Sequence, residues 1–121
     1  MKEVETRPWG KFEVLYDSEY CKVKEITVNP GHKLSLQSHK HRKETWVVIK
    51  GDAIVEKDDL NDEEPSRFYS LGTGDSIIIE KQEKHRIENR GKEEMVFIEV
   101  QTGEYFGEDD IIRYEDSYGR V

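Results

Sequence analysis

Ahead of its C-terminal end the chain carries no apolar stripe of helical period and helical length. Its Val, Ile and aromatic residues fall in short runs cut by Gly, Pro, Asn and Asp. A helix would need apolar residues recurring at i, i+3, i+4 and i+7, whereas a strand needs only alternation over roughly four to eight positions. The pattern therefore confines the fold to the all-β class. Arg7-Pro8-Trp9-Gly10 opens it, and Lys11–Tyr16 and Tyr20–Val28 read as the first strands around a turn at Asp17-Ser18. Between Val23 and Ile26 the apolar phase slips, as it does at a β-bulge. Asn29-Pro30-Gly31 supplies turn chemistry, and a strand restarts at Lys33. Glu44–Lys50 and Ala53–Lys57, joined by Gly51-Asp52, read as a hairpin. Arg67–Leu71, Ser76–Ile79, His85–Asn89 and Glu94–Gln101 complete a set of eight to ten strands. The acidic run Asp58–Ser66 reads as a solvated hairpin tip, and the C-terminal GEYFGEDDIIRYEDSYGR as a cover containing a single helical turn.

At 121 residues the chain suits one domain, residues 1–121, with enough apolar surface for a real core. Although 38% of the residues are charged, the evenly spaced apolar runs and a 10% aromatic content argue for a folded unit. A net charge of −8 opposes binding to nucleic acid or to an anionic membrane surface, so neither is an expected partner. Cys21 is alone, which excludes an intrachain disulfide and favours a reducing setting. No apolar leader or membrane-spanning run is present, and a soluble, cytoplasmic protein is expected.

The chemistry concentrates between Gly31 and Gly51. Gln37, His39 and Glu44 fall within one short stretch, spaced so that a strand, a tight loop and a second strand bring them together. Strand period places Lys33, Ser35, Gln37 and His39 on one face, and Glu44, Trp46 and Val48 on one face of the next strand. His85 stands where a neighbouring strand can return to the same interior. Two imidazoles, a carboxylate and an amide oxygen form a mixed N/O shell for a divalent ion, and these donors do not choose among Zn, Mn, Fe, Co and Ni. The competing reading makes Gln37 and His39 satisfied buried polar groups, with Glu44 paired to Arg42 or Lys43. His41 is placed at the rim, and His32, beside a turn, in solvent.

These residues resemble the two motifs of the cupin superfamily. The first, G-x5-HxH-x4-E-x6-G, is met by Gly31, Gln37, His39, Glu44 and Gly51, with Gln in place of the first His. The second, G-x5-PxG-x2-H-x3-N, is met by Gly74, His85 and Asn89, with Glu80 and Gln82 in place of Pro and Gly. KLSLQSHKHRKETWVVIKG, RPWGKFEVL and VQTGEYFGEDDIIRYEDSYGR together resemble type II phosphomannose isomerases, which occur alone or as the C-terminal half of bifunctional mannose-1-phosphate guanylyltransferases. The resemblance implies a cupin double-stranded β-helix (jelly-roll barrel). It also implies a metal-dependent aldose–ketose isomerase interconverting mannose 6-phosphate and fructose 6-phosphate. With no Gly-rich nucleotide loop or βαβ pattern ahead of the barrel, the guanylyltransferase half is expected to be missing. The alternatives are a cupin acting on another sugar phosphate or on a nucleotide sugar, and a non-catalytic sugar-binding cupin.

Isomerisation through an enediol needs a base, and positive charge near the reacting oxygens. The metal shell is expected to be Gln37, His39, Glu44 and His85, with Lys33, Arg42 and Arg113 as candidate phosphate cations. Asp109, Asp110, Glu99 and His41 all remain possible as the base. Because strands such as Glu44–Lys50 are apolar on both faces, Val47, Ile49 and Ile78 should form an outer patch. That patch predicts a twofold homodimer in which the N-terminal strands pack on the neighbour's barrel.

Overall fold

A computed structural model describes residues 4–58 and 66–120. Eleven strands follow in chain order: β1 (Val4–Arg7), β2 (Gly10–Asp17), β3 (Cys21–Val28), β4 (Leu36–Ser38), β5 (Arg42–Lys50), β6 (Ala53–Asp58), β7 (Arg67–Leu71), β8 (Ser76–Ile79), β9 (Lys84–Glu88), β10 (Met95–Gly103) and β11 (Ile112–Glu115). They form two antiparallel sheets, one ordered β1-β2-β3-β10-β5-β8 and the other β11-β4-β9-β6-β7. The core between the sheets holds Trp9, Phe12, Ile26, Trp46, Val48, Val55, Ile87 and Phe97 among its buried residues. The expected all-β double-stranded β-helix is thus the observed architecture. Among the described residues no helix is long and apolar enough to cross a membrane.

The chain changes sheets where the sequence suggested a hairpin. β5 pairs with β10 and β8, whereas β6 pairs with β7 and β9, so Gly51-Asp52 is a corner between sheets. Gly51 makes this possible: its φ is +81°, and a Cβ there would stand 3.1 Å from the Glu94 carbonyl oxygen. The true hairpin partner of β6 is β7, in register from Ala53 opposite Leu71 to Lys57 opposite Arg67. Most of the acidic run that joins them lies outside the described residues.

Three further expectations are corrected. The register irregularity falls on β2, between Val14 and Tyr16, and not on β3. Along β3 the inward positions alternate regularly as Lys24, Ile26 and Val28. What reads as a slipped apolar phase is a lysine facing the barrel interior. The strand begun at Lys33 is shorter than expected: only Leu36–Ser38 is extended in the ladder, with an isolated bridge from Lys33 to Glu88. The C-terminal segment contains no helical turn, because Ile112–Glu115 pairs with β4 and ends the second sheet.

Candidate metal centre and cationic mouth

Each long strand of the first sheet grades from apolar to polar along its inward face. β3 presents Val28, Ile26, Lys24; β10 presents Met95, Phe97, Glu99, Gln101; β5 presents Val48, Trp46, Glu44, Arg42. Register aligns these series. Phe97 stands opposite both Ile26 and Val48, Glu99 opposite Lys24 and Trp46, and Gln101 opposite Glu44. One end of the barrel is therefore a hydrophobic floor, and the other is lined by ionisable groups.

At the polar end His39, Glu44 and His85 converge, each buried, with donor atoms all within 4.8 Å of one another. His39 Nε2 is 3.3 Å from Glu44 Oε2, and the two imidazole centroids are 5.1 Å apart. Each imidazole is oriented through its other nitrogen, His39 Nδ1 donating to the Asp110 carbonyl at 2.6 Å and His85 Nδ1 to the Glu83 carbonyl at 2.8 Å. This is how proteins fix the tautomer of a ligating histidine, leaving a bare Nε2. Burial, the largest cause, holds His39 down to about 4 and His85 to about 3, so both lone pairs are free of protons at neutral pH. His85 Nε2 is buried with no hydrogen-bond partner among the described residues. An orphaned acceptor beside a carboxylate oxygen and His39 Nε2, which has a long 3.4 Å contact from Arg42 Nη2, fits a divalent cation. Gln37, on β4, is the register partner of His85 and lines the adjoining cavity, so it can add an oxygen donor.

Glu44 is held on both oxygens: Arg42 Nε donates at 2.8 Å and Trp46 Nε1 at 2.9 Å. Trp46 Nε1 also lies 3.2 Å from Glu99, whose other oxygen accepts from Gln101 Nε2 at 2.8 Å. Burial first, and the neighbouring Glu44 charge second, push Glu99 up to about 7. Such a carboxyl takes up a proton more readily than an exposed one, and it stands in the wall of the site.

Gln37, Arg42 and Glu99, which surround this cluster, also line a cavity of about 80 Å³, room for a few waters or one tetrahedral anion. Five cations line it, Arg7, Lys24, Arg42, Arg113 and Arg120, against the carboxylates Glu99 and Glu108. Arg42 Nη1 and Arg113 Nε are buried there without a hydrogen-bond partner among the described residues. Those two unpartnered guanidinium nitrogens make the cavity a candidate anion site.

Of the residues expected from sequence, His39, Glu44, His85, Gln37, Arg42 and Arg113 come together. Lys33 does not: it lines a separate depression with Arg86, Glu115, Asp116 and Ser117, because the chain from 32 to 35 is not in the regular alternation that would have aimed it inward. His41 does stand at the rim, edge-on to Tyr105 at 6.2 Å. His32 is half-buried rather than exposed, its ring stacked on Tyr118 and its Nδ1 2.6 Å from the tyrosine hydroxyl. Asp110 proves to be a latch: its carboxylate accepts from the Lys40 and His41 amides, both at 2.9 Å, while its carbonyl orients His39. Lys24 and Glu108 were missed. Lys24 left a trace in the broken apolar phase of β3, and Glu108 left none.

The motif departures at Glu80 and Gln82 preserve the loop. Gln82 stands where the motif has Gly and keeps the left-handed backbone, φ 67°, while its amide donates to the His39 carbonyl at 2.6 Å. That conformation costs a non-glycine residue about 1–2 kcal/mol. Asn89 ties two turns together, its amide nitrogen donating to the Val28 and Glu93 carbonyls at 3.0 and 2.7 Å.

The family model described as mannose-6-phosphate isomerase C-terminal matches residues 1–116. The chain is 46% identical over 115 residues to mannose-1-phosphate guanylyltransferase ManC of Salmonella typhimurium, covering 95% of this chain and 22% of that protein. It is 44% identical over 118 residues to the xanthan biosynthesis protein XanB of Xanthomonas campestris, covering 95% of this chain and 23% of that protein. The chain thus spans less than a quarter of these relatives. A solved structure of a Klebsiella pneumoniae protein with a double-stranded β-helix domain superimposes with a TM-score of 0.69 at 23% identity, covering 85% of this chain and 77% of that one. It supports the fold. The expectation of a mannose 6-phosphate isomerase is corrected by the relatives, which are named for guanylyl transfer to mannose 1-phosphate and for polysaccharide biosynthesis, not for aldose–ketose isomerisation.

Proposed function

The chain belongs to the mannose-6-phosphate isomerase C-terminal family of cupins, and from that premise we propose that it binds a divalent metal and, over it, a phosphorylated or nucleotide-linked sugar of nucleotide-sugar synthesis. One juxtaposition carries the reading: Arg42, which holds Glu44 of the His39, Glu44 and His85 cluster, and Gln37, the register partner of His85, also line a cavity where Arg42 and Arg113 keep buried nitrogens unpartnered among the described residues. His39, Glu44 and His85 would hold the ion, with Gln37 as a further oxygen donor. When bound, the metal supplies Lewis-acid charge to sugar oxygens. Arg113 and Arg42 receive the phosphate with charge-assisted hydrogen bonds, the planar fork of each guanidinium matching two phosphate oxygens. Trp46 and Phe97, packed with centroids 5.2 Å apart, close the floor and keep bulk water away from Glu44. The relatives' names suggest mannose 1-phosphate as the sugar phosphate. The free thiol of Cys21 suits a cytosolic setting for this role.

Calorimetric titration tests the proposal, with metal content measured by elemental analysis. The metal-loaded chain should bind mannose 1-phosphate or GDP-mannose saturably, and chelator-treated chain or Arg113→Met should bind at least about tenfold more weakly, as loss of a charge-assisted contact of ~1.5–3 kcal/mol requires. Absence of binding to both ligands by a metal-loaded chain would overturn it.

A further inference from the structure

Of the two carboxylates at the cationic mouth, Glu99 belongs to barrel strand β10 and Glu108 comes from outside the barrel strands. Lys24 is only 4% exposed, and its ammonium lies 4.2 Å over the Phe12 ring. A buried ammonium requires an anion. Its near partner is Glu108 Oε1 at 2.5 Å, which also lies 3.4 Å from Lys22 Nζ. Glu108 belongs to the C-terminal strap, in a turn closed by the Asp110 amide donating to the Gly107 carbonyl at 3.1 Å. Its side chain is half exposed, 50%, so it reaches the mouth from the solvent side. Of the other mouth cations, Arg7 is served by Glu5 at 2.7 Å, Arg42 by Glu44 and Arg120 by Asp116 at 2.8 Å, each from nearby in the chain, while Arg113 keeps its Nε unpartnered among the described residues. Lys24, on a barrel strand, takes its ion-pair partner from the strap.

We propose that Glu108 is a built-in occupant of the anion site, holding Lys24 until the phosphate of an incoming ligand displaces it, so that the turn at 107–109 is a gate opened by anion binding. The proposal rests on the cavity being a phosphate site, and it adds Lys24 to the residues that receive the phosphate. Charge and reach favour the exchange. A carboxylate offers two oxygens and touches only the two lysines, whereas a phosphate carries more charge and three acceptor oxygens, enough to engage Lys24 together with the unpartnered nitrogens of Arg42 and Arg113. Release of Glu108 is inexpensive because its displaced carboxylate is hydrated at the surface. The Asp110 latch, two residues on, can stay closed over Lys40 and His41 and keep the metal ligands in place while the turn before it moves.

If Glu108 occupies the site about nine-tenths of the time, it lowers apparent phosphate affinity about tenfold. The test uses the full chain as purified, its metal content measured, titrated with inorganic phosphate while amide hydrogen exchange is followed. Glu108→Gln should bind phosphate about tenfold tighter than wild type, and Lys24→Met should bind it more weakly. In wild type, saturating phosphate should speed exchange of the Asp110 amide, whose bond to the Gly107 carbonyl closes the turn. Tighter binding by Glu108→Gln without that change in exchange would make Glu108 a bystander charge and overturn the gate. Equal affinities for wild type and Glu108→Gln would also overturn it, leaving the anion site standing. Failure of wild type and both variants to bind phosphate would overturn the anion site itself and the gate with it.

Discussion

His85 Nε2 sets the energetics of the centre, for it is a buried acceptor left unpaired among the described residues, and such a group costs about 1–3 kcal/mol. A bound cation removes that cost and adds the attraction of Glu44. His85→Ala should therefore reduce metal affinity by more than the about 10–100-fold expected from losing an orienting partner alone, with elemental analysis after gel filtration as the readout. Unchanged metal content would remove His85 from the shell. His41→Ala should leave the metal nearly intact, because His41 packs against Tyr105 at the rim and offers nothing to the cluster. At this scale the sequence was most readable where its resemblance to two motifs fixes a register. His39, Glu44 and His85 were placed by two motif registers, and no packing detail was needed. Lys24 was not legible, since a charged residue at an inward strand position looks like a phase error until the register with Glu99 is known.

Among the elements, the C-terminal strap does the least expected work. It contributes Glu108, Ile111, Arg113 and Arg120 to the mouth, and Asp110 to the loop that carries His39. The Asp110 carboxylate stays below the usual range: burial would raise it, but the His41 and Lys40 amides that donate to it outweigh that effect. Gly103 at the end of β10 lets the strap turn away, since a Cβ there would collide with the His41 carbonyl. Asp110→Ala would strand two amide N–H groups, at about 1–3 kcal/mol each if they stay dry. It should loosen the 39–41 loop and weaken metal binding about 10–100-fold. Thermal unfolding with and without added metal measures both effects, and equal metal-induced shifts in Tm for wild type and variant would refute the latch. The strand set was legible from alternation and turn residues, but the pairing was not. A glycine corner between sheets and a hairpin turn use the same residues, and the choice at Gly51-Asp52 is made by contacts of β5 with β10, far along the chain. The strap was opaque for the same reason: β11 becomes a strand because β4 is there to pair with it.

For the whole molecule, the buried ionisable groups predict how stability follows pH in the metal-free chain. His39 and His85, depressed from 6.5 to about 4 and about 3, let the unfolded chain bind more protons than the folded one, so stability falls as pH drops below about 6.5. Glu99, raised from 4.5 to about 7, acts oppositely: it favours the fold at acid pH, and that contribution is lost as pH rises from 4.5 to 7. Two imidazoles outweigh one carboxyl, so Tm should decline from pH 6.5 to 4, more steeply in Glu99→Gln and less steeply in His85→Gln. A flat profile for all three would refute the burial of neutral imidazoles. The outer surface makes a separate prediction. Ile49 and Ile78 are 43% and 45% exposed on neighbouring strands β5 and β8, with Val47 half-buried between them. The cover available within the chain was the C-terminal segment, yet that segment runs to the barrel mouth and pairs in the other sheet. β1 is also an edge strand, and its Val4 is exposed. Unpaired edges and clustered apolar side chains favour association. We propose a twofold homodimer that buries Val47, Ile49 and Ile78 against the N-terminal strands of the neighbour, in a contact that repeats itself by symmetry. Light scattering coupled to gel filtration should give twice the 14.3 kDa chain mass at micromolar concentration. Ile78→Glu should return a monomer with an unchanged β-sheet circular dichroism spectrum, because its side chain faces outward and supports no core contact. A wild-type mass equal to one chain would overturn the dimer, and a variant that remains dimeric would move the interface off β8.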